Sequence, residues 1–268
     1  MVTYLLKKSY QHKTLKEVNF KDLWGDIGVF TTMRILGKPA KIIFFKKHIK
    51  NLIKSLKVYK LNRVNLEKNI LKLIKVNIEK SILNLIKLNV DNNKSYNHLL
   101  RVAVNKNIIS VSLRDRKTPK LKFNLKLINY KRIDPEFKNL KYKLIIKHLS
   151  KMDNTTSDIG LCFQKKILES GTSNMFFIKE NKIYSPSKNI YKGVTYDFFK
   201  KKLVKIYNKE ILVNTLVDYD EILLIGSGKA VTSIETIREI KWRRKSLKYY
   251  KILSNFYKKE ILNCSVYR

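Results

Sequence analysis

The chain has 268 residues, 44% of them hydrophobic, and a formal net charge of +37 from 58 Lys and Arg against 21 Asp and Glu. That length buries a sizeable core and suits two modest domains. The positive excess is mostly Lys, spread along the whole chain beside abundant Ile and Asn as an AT-rich genome would encode it, and no Gly-aromatic RNA-binding motif, zinc pattern or basic-zipper heptad accompanies it, so specific nucleic-acid binding is not expected.

Residues 1–23 are polar and basic and are expected to supply a strand. The start, MVTYLLKKSYQHK, has no charged leader ahead of a long apolar core, so no secretory signal is expected. Val29 to Leu36, the turn Gly37-Lys38-Pro39, and Ala40 to Phe45 read as a hairpin. From Lys46, the positions Ile49, Leu52, Ile53 and Leu56 recur at helical spacing. Residues 62–91 keep that period at Leu66, Ile70, Leu73, Ile74, Ile78, Ile82 and Leu85, and are expected to form two amphipathic helices. Leu99 to Val104 and Ile108 to Leu113 read as strands around Asn105-Lys106-Asn107, with Arg101 in the first. Arg114 to Lys120, charged, containing Pro119 and lacking apolar residues, reads as a linker. The expected domains are therefore 1–114 and 121–268, joined by 115–120.

Beyond the linker, Leu140, Leu144, Ile145 and Leu149 give one helix face, which Pro135 precedes. Lys138 stands just before or at the start of that helix, and by residue type alone it is one solvated lysine among many. Asp158 to Lys165 reads as a strand. The most informative stretch follows, from Leu168 to Thr195. Glu169 is expected on a turn beside the small residues Ser170 to Ser173, ahead of a buried strand from Met175 to Ile178. Glu180-Asn181 closes a hairpin with Lys182-Ile183-Tyr184. Gly193-Val194-Thr195 then opens an amphipathic stretch, Tyr196 to Tyr207, whose first N–H groups could meet an anion. Ile211 to Val217 and Glu221 to Ile225 read as strands, the second ending in Gly226-Ser227-Gly228-Lys229, a turn that could approach a phosphate. Lys241 to Arg268 reads as a basic amphipathic helix on the larger domain. Cys162 and Cys264 are too far apart for a metal knuckle and too few for a disulfide framework, no metal site is expected, and no run reaches the roughly 18 apolar residues of a membrane helix. A cytoplasmic protein is expected.

Glu169, the small residues, Asn174, Met175-Phe176, the hairpin turn and Gly193-Val194-Thr195 resemble, in order and spacing, the signature of the class IV aminotransferases. These are fold-type-IV pyridoxal-phosphate enzymes, among them branched-chain and D-amino-acid aminotransferases and aminodeoxychorismate lyase. Gly28-Val29-Phe30-Thr31-Thr32, Arg34, Gly37 and then His48 resemble the N-terminal signature of the same family. The resemblance implies an α/β (α+β) two-domain fold like that of D-amino-acid aminotransferase, and pyridoxal 5'-phosphate as cofactor. It implies Lys138 as the Schiff-base lysine, with Lys141 competing, and Glu169 as the partner of the ring nitrogen. Asn174, Val194, Thr195, Ser227 and Gly228 would line the cofactor. Asn51 replaces the usual phosphate-gripping Arg, with Lys54 or Lys50 as a substitute charge. Phe30, Arg101 and Lys229 are the implied substrate contacts, although family members keep small residues where Lys229 stands. The resemblance also implies a homodimer. The expected reaction moves an amino group between a small or branched-chain amino acid and a 2-oxo acid. Ser173 before Asn174 also keeps aminodeoxychorismate lyase open, and Asn51 a non-catalytic homologue or basic binding protein.

Overall fold

The computed structural model describes residues 3–87, 95–203 and 205–267, with side chains omitted for 83–87. The chain divides into two compact units: Met1–Arg116 with Phe137–Tyr142 and Cys264–Arg268, and Lys117–Glu136 with Lys143–Asn263. The expected division at 115–120 contains the break after Arg116, but residues 137–142 and 264–268 group with the first unit.

The first unit is built on an antiparallel six-stranded sheet of β1 (Tyr4–Gln11), β2 (Glu17–Val18), β3 (Gly28–Gly37), β4 (Lys41–Ile42), β5 (Tyr96–Asn105) and β6 (Ile108–Asp115), ordered β2-β1-β6-β5-β3-β4. Alternation of side chains sends Val29, Met33 and Ile35 of β3, and Leu100, Val102 and Val104 of β5, into one core. Two helices supply the rest of that core, α1 (Phe45–Val58) through Ile49, Leu52 and Leu56, and α2 (Leu66–Lys87) through Leu66, Ile70, Leu73, Ile74 and Ile78. Phe44 takes a left-handed conformation, φ 56, which ends the short β4 arm and starts α1 three residues before His48. Within the described residues, 62–91 holds one helix rather than two. No Gly or Pro interrupts it, and its buried polar residues are satisfied across the core: Asn77 accepts from Tyr10 at 3.0 Å and Ser81 meets Tyr96 at 2.9 Å. The expected positions beyond Ile82 lie outside the described side chains.

The segment carrying Lys138 is not helical. Phe30 N donates to Lys138 O at 2.9 Å, Leu140 N donates to Gly28 O at 2.9 Å, and Asn139 bridges Val29, so the segment adds to the free edge of β3. This pairing holds Leu140 outside the helix expected there, which begins at Lys143.

The second unit stacks two sheets. One runs β12 (Ile206–Lys209), β11 (Lys182–Pro186), β10 (Asn174–Lys179), β14 (Glu221–Gly226), β15 (Ala230–Ser233). The other runs β13 (Ile211–Leu212), β9 (Lys166–Ser170), β8 (Ser157–Phe163), β7 (Asn124–Asn129), β16 (Thr236–Ile237), β17 (Trp242–Arg243). β7 had no sequence counterpart above, because NLKLIN carries too little alternation to stand out. Met175 and Phe177 from β10, Ile222 and Leu224 from β14, and Leu125 and Ile167 from the second sheet share one core. The opposite face of β10 meets α4 (Val194–Lys202), Phe176 lying 5.6 Å from Tyr196 and 6.1 Å from Phe199 between ring centroids. The helix α5 (Lys248–Leu262) packs on β14 and β15, and buried Glu221 caps it, accepting from Tyr249 N at 2.7 Å and Tyr250 N at 2.8 Å. The helix α3 (Lys143–Leu149) packs on β8. Among the described residues no helix is long and apolar enough to cross a membrane.

Gly28 is where β3 admits the Lys138 segment. A Cβ there would come within 2.4 Å of Val104 O and 2.6 Å of a Leu140 methyl. Gly28→Ala is therefore expected to destabilise the protein by about 1–3 kcal/mol, read as a lower midpoint in urea unfolding; an unchanged midpoint would show that the strands part freely.

Candidate active site

In the first unit, Phe30 and Arg101 share the face of the sheet turned away from the α1–α2 core, because Val29 and Val102 face that core. The Arg101 guanidinium lies 3.7 Å over the Trp24 ring and 5.6 Å from Phe30. Trp24, Phe30 and Tyr142 pack together with centroids 4.9 to 5.8 Å apart. Asp22 holds the guanidinium through its carboxylate on Nη1 and its carbonyl 2.7 Å from Nη2. Burial lowers the Arg101 pKa from its usual range and the Asp22 charge opposes that. Arg101 Nε is buried and has no protein partner among the described residues. Lys138 Nζ stands 5.2 Å from the Phe30 ring centroid.

Behind β3, His48 of α1 is buried with Nδ1 2.8 Å from Thr31 Oγ1. Burial, and next the charge of Lys138, drive His48 down to about 3. The imidazole is neutral at physiological pH, and its nearness to Lys138 shows in that second cause.

In the second unit Glu169 belongs to β9, not to a turn; the turn begins at the strand's last residue, where Ser170 N donates to Ser173 O at 2.9 Å. Arg132 Nε donates to Glu169 Oε1 at 2.6 Å, and the two side chains are only 1% and 7% exposed. Tyr191 N reaches Glu169 Oε2 at 3.4 Å. Asn174, at the start of β10, donates to Tyr191 O at 2.6 Å and accepts from Gly193 N at 2.9 Å. One amide therefore fixes the loop that delivers Gly193 as the N-cap of α4. Gly193 offers no side-chain cap, and Thr195 Oγ1, on the first turn, is buried without a hydrogen-bond partner among the described residues. A helix N-terminus beside an unsatisfied hydroxyl suits an anion. Ser227 and Gly228 occupy the turn between β14 and β15, partly exposed.

The family profile described as Amino-transferase class IV matches residues 28–237. The chain belongs to the class IV aminotransferase family. Among the curated proteins none matches it in sequence. Its fold is similar to that of a branched-chain aminotransferase from Thermoproteus uzoniensis crystallised with norvaline, at 15% identity over 96% of this chain and 95% of that one, with a TM-score of 0.73. A hypothetical aminotransferase from Mycobacterium tuberculosis in its PLP-bound form gives 13% identity over 96% and 99%, TM-score 0.69. A putative 4-amino-4-deoxychorismate lyase from Legionella pneumophila gives 15% over 87% and 91%, TM-score 0.63. At these identities the likeness shows the fold.

Class IV aminotransferases depend on pyridoxal phosphate, and this member's second unit fits that group. Glu169 is a fixed carboxylate, and Thr195 Oγ1 is a buried donor lacking an acceptor among the described residues. In the first unit, Lys54 lies on the exposed face of α1, away from the buried His48 side, and is not brought to the cluster at Lys138. Lys229 turns inward: its Nζ donates to Asn154 O at 2.7 Å and lies 4.6 Å from the Phe123 ring centroid. Sequence reasoning missed Arg132, Asp22 and Tyr142 as parts of these clusters. Trp24, just ahead of the Gly28 run, was the one visible signal for the aromatic group.

Removing Arg132 leaves the Glu169 carboxylate buried without its guanidinium. Arg132→Met is expected to cost about 3–5 kcal/mol in guanidinium unfolding, and Arg132→Met with Glu169→Leu to cost less than the single change. The folded pKa of His48, about 3 against an ordinary 6.5, means that between those values the unfolded state binds the proton the folded state refuses. His48 therefore contributes a loss of stability as pH falls through 6.5, at up to about 1.4 kcal/mol per pH unit, and the loss levels off below about 3. Unfolding curves of His48→Gln between neutral pH and pH 4 are expected to fall less steeply than those of the unaltered chain.

Proposed function

We propose that this chain is a pyridoxal-phosphate-dependent aminotransferase that moves an amino group between a small or branched-chain amino acid and a 2-oxo acid. The observation that carries the reading is the buried Arg132–Glu169 pair, in a chain of this family. Bound pyridoxal phosphate supplies a cationic ring that draws in the electrons left when a substrate loses its α-proton. Glu169 would keep a proton on the ring nitrogen, and Arg132 Nε, donating to Glu169 Oε1 at 2.6 Å, fixes that carboxylate. Thr195 Oγ1, the first N–H groups of α4 from Val194 onward, Ser227 and Gly228 would hold the phosphate. Asn174 acts through the loop it closes, holding Gly193 and α4 in place.

Lys138 would hold the cofactor, and its Nζ would carry the α-proton. Its neighbours suit that work. The Phe30 ring gives an apolar wall that excludes water, and neutral His48 adds no competing charge. Arg101, stacked on Trp24 and tied by Asp22, keeps a buried Nε–H for a carboxylate of the substrate. A homodimer in the cytoplasm is the assembly and location we attach to this reading.

A second reading, aminodeoxychorismate lyase, shares the α-proton step and differs in expelling pyruvate. It draws support from Ser173 ahead of Asn174 and from the fold likeness to the Legionella protein.

Purified protein mixed with pyridoxal phosphate is expected to turn yellow, and borohydride to fix the cofactor to a peptide containing Lys138. Lys138→Ala should lose that label and lower amino transfer by roughly 10²–10⁴-fold. Labelling at Lys141 would contradict the assignment and move the role to that residue, and no label at either would favour a non-catalytic homologue. Exchange of Leu, Val, Ile and D-Ala with 2-oxo acids, run beside pyruvate release from aminodeoxychorismate, separates transaminase from lyase.

A further inference from the structure

Two buried charges of the second unit have no part in the chemistry above. Asp158 on β8 is fully buried, and Lys229 in the turn between β14 and β15 is 8% exposed. Asp158 Oδ2 accepts from Thr172 Oγ1 at 2.7 Å and Ser170 Oγ at 3.4 Å, while Oδ1 accepts from Ile159 N at 2.8 Å. The carboxylate thus grips the turn that follows Glu169 and leads to Asn174. That turn is seated tightly: a Cβ on Gly171 would lie 2.7 Å from Ile159 Cγ1 and 3.2 Å from Asp158 Oδ1.

Lys229 fastens the other turn. Its Nζ is bonded to Asn154 O, four residues before Asp158, and its carbonyl accepts from Thr232 Oγ1 at 2.8 Å. The two turns abut, since a Cβ on Gly226 would lie 2.8 Å from Ser173 Oγ. Burial pushes the Asp158 carboxyl up, and the Lys229 ammonium is the largest influence drawing it back. An isolated charge at either position would carry a heavy desolvation cost, and an opposite charge nearby offsets it.

We propose that Asp158 and Lys229 form a buried opposite-charge lock that holds the Ser170–Ser173 turn against the Ser227–Lys229 turn, and so positions Glu169, Asn174 and Ser227 for the cofactor. Lys229 is on this account a positioning residue and not a ligand of the substrate carboxylate. The inference rests on the proposed function for what is positioned, while the lock itself is a matter of folding.

The test is a double-mutant cycle of Asp158→Asn, Lys229→Met and the double variant, read by pyridoxal phosphate titration in absorbance and by thermal unfolding. Each single change is expected to weaken cofactor binding roughly tenfold, a typical coupling between neighbouring charged groups, and the double change to recover part of it. Lys229→Arg, which keeps the charge, should stay nearer the unaltered chain than Lys229→Gln. If Lys229 bound substrate instead, Lys229→Gln would raise KM and leave the cofactor Kd alone, which overturns the proposal even if Asp158→Asn does not fold. Additive losses in the double variant would also overturn it. Failure of the unaltered chain to bind pyridoxal phosphate would strike the proposed function, and the coupling in thermal unfolding would then decide the lock alone.

Discussion

The second unit is arranged around a carboxylate that has been taken out of water and given a guanidinium. A Glu at 5% exposure is costly unless its charge is met, and Arg132, itself nearly fully buried, meets it. Replacing a buried ion pair by apolar residues of similar volume is often neutral for stability, so stability alone does not explain the pair. A carboxylate held rigid and ionised is useful where a proton must stay on a neighbouring nitrogen, which is the demand pyridine chemistry makes. The surrounding elements build outward from the pair: β9 ends at Ser170, Asn174 ties the loop at Tyr191 and Gly193, and α4 begins with a buried hydroxyl that has no partner among the described residues.

The first unit answers a different requirement, placing an amine on an apolar wall. Strand pairing does this without a helix: the backbone of Lys138 accepts from Phe30 N, which brings Lys138 Nζ over the ring of the residue its own carbonyl binds. His48, kept neutral by burial, supports the strand through Thr31 and adds no charge.

Much of this was legible where local chemistry decides structure. The β10–β11 hairpin could be read from Glu180-Asn181, which adopt positive φ of 51 and 57. The strands about Asn105-Lys106-Asn107 and the start of α4 at Gly193-Val194-Thr195 were likewise local. What could not be read depends on partners distant in sequence. The extended form of the Lys138 segment is set by β3, the unity of α2 by Tyr10 and Tyr96, and the role of Arg132 by a carboxylate 37 residues away. The inward turn of Lys229 depends on Asn154 O, 75 residues away in sequence.

In the proposed reaction Glu169 would hold one proton on the cofactor's ring nitrogen. The most direct measurement is the ¹⁵N chemical shift of pyridoxal phosphate labelled at that nitrogen and bound to the protein at neutral pH. The account predicts a protonated nitrogen whose signal moves toward the neutral form in Glu169→Gln. A neutral-pyridine shift in the unaltered protein, or one indifferent to Glu169→Gln, would contradict it.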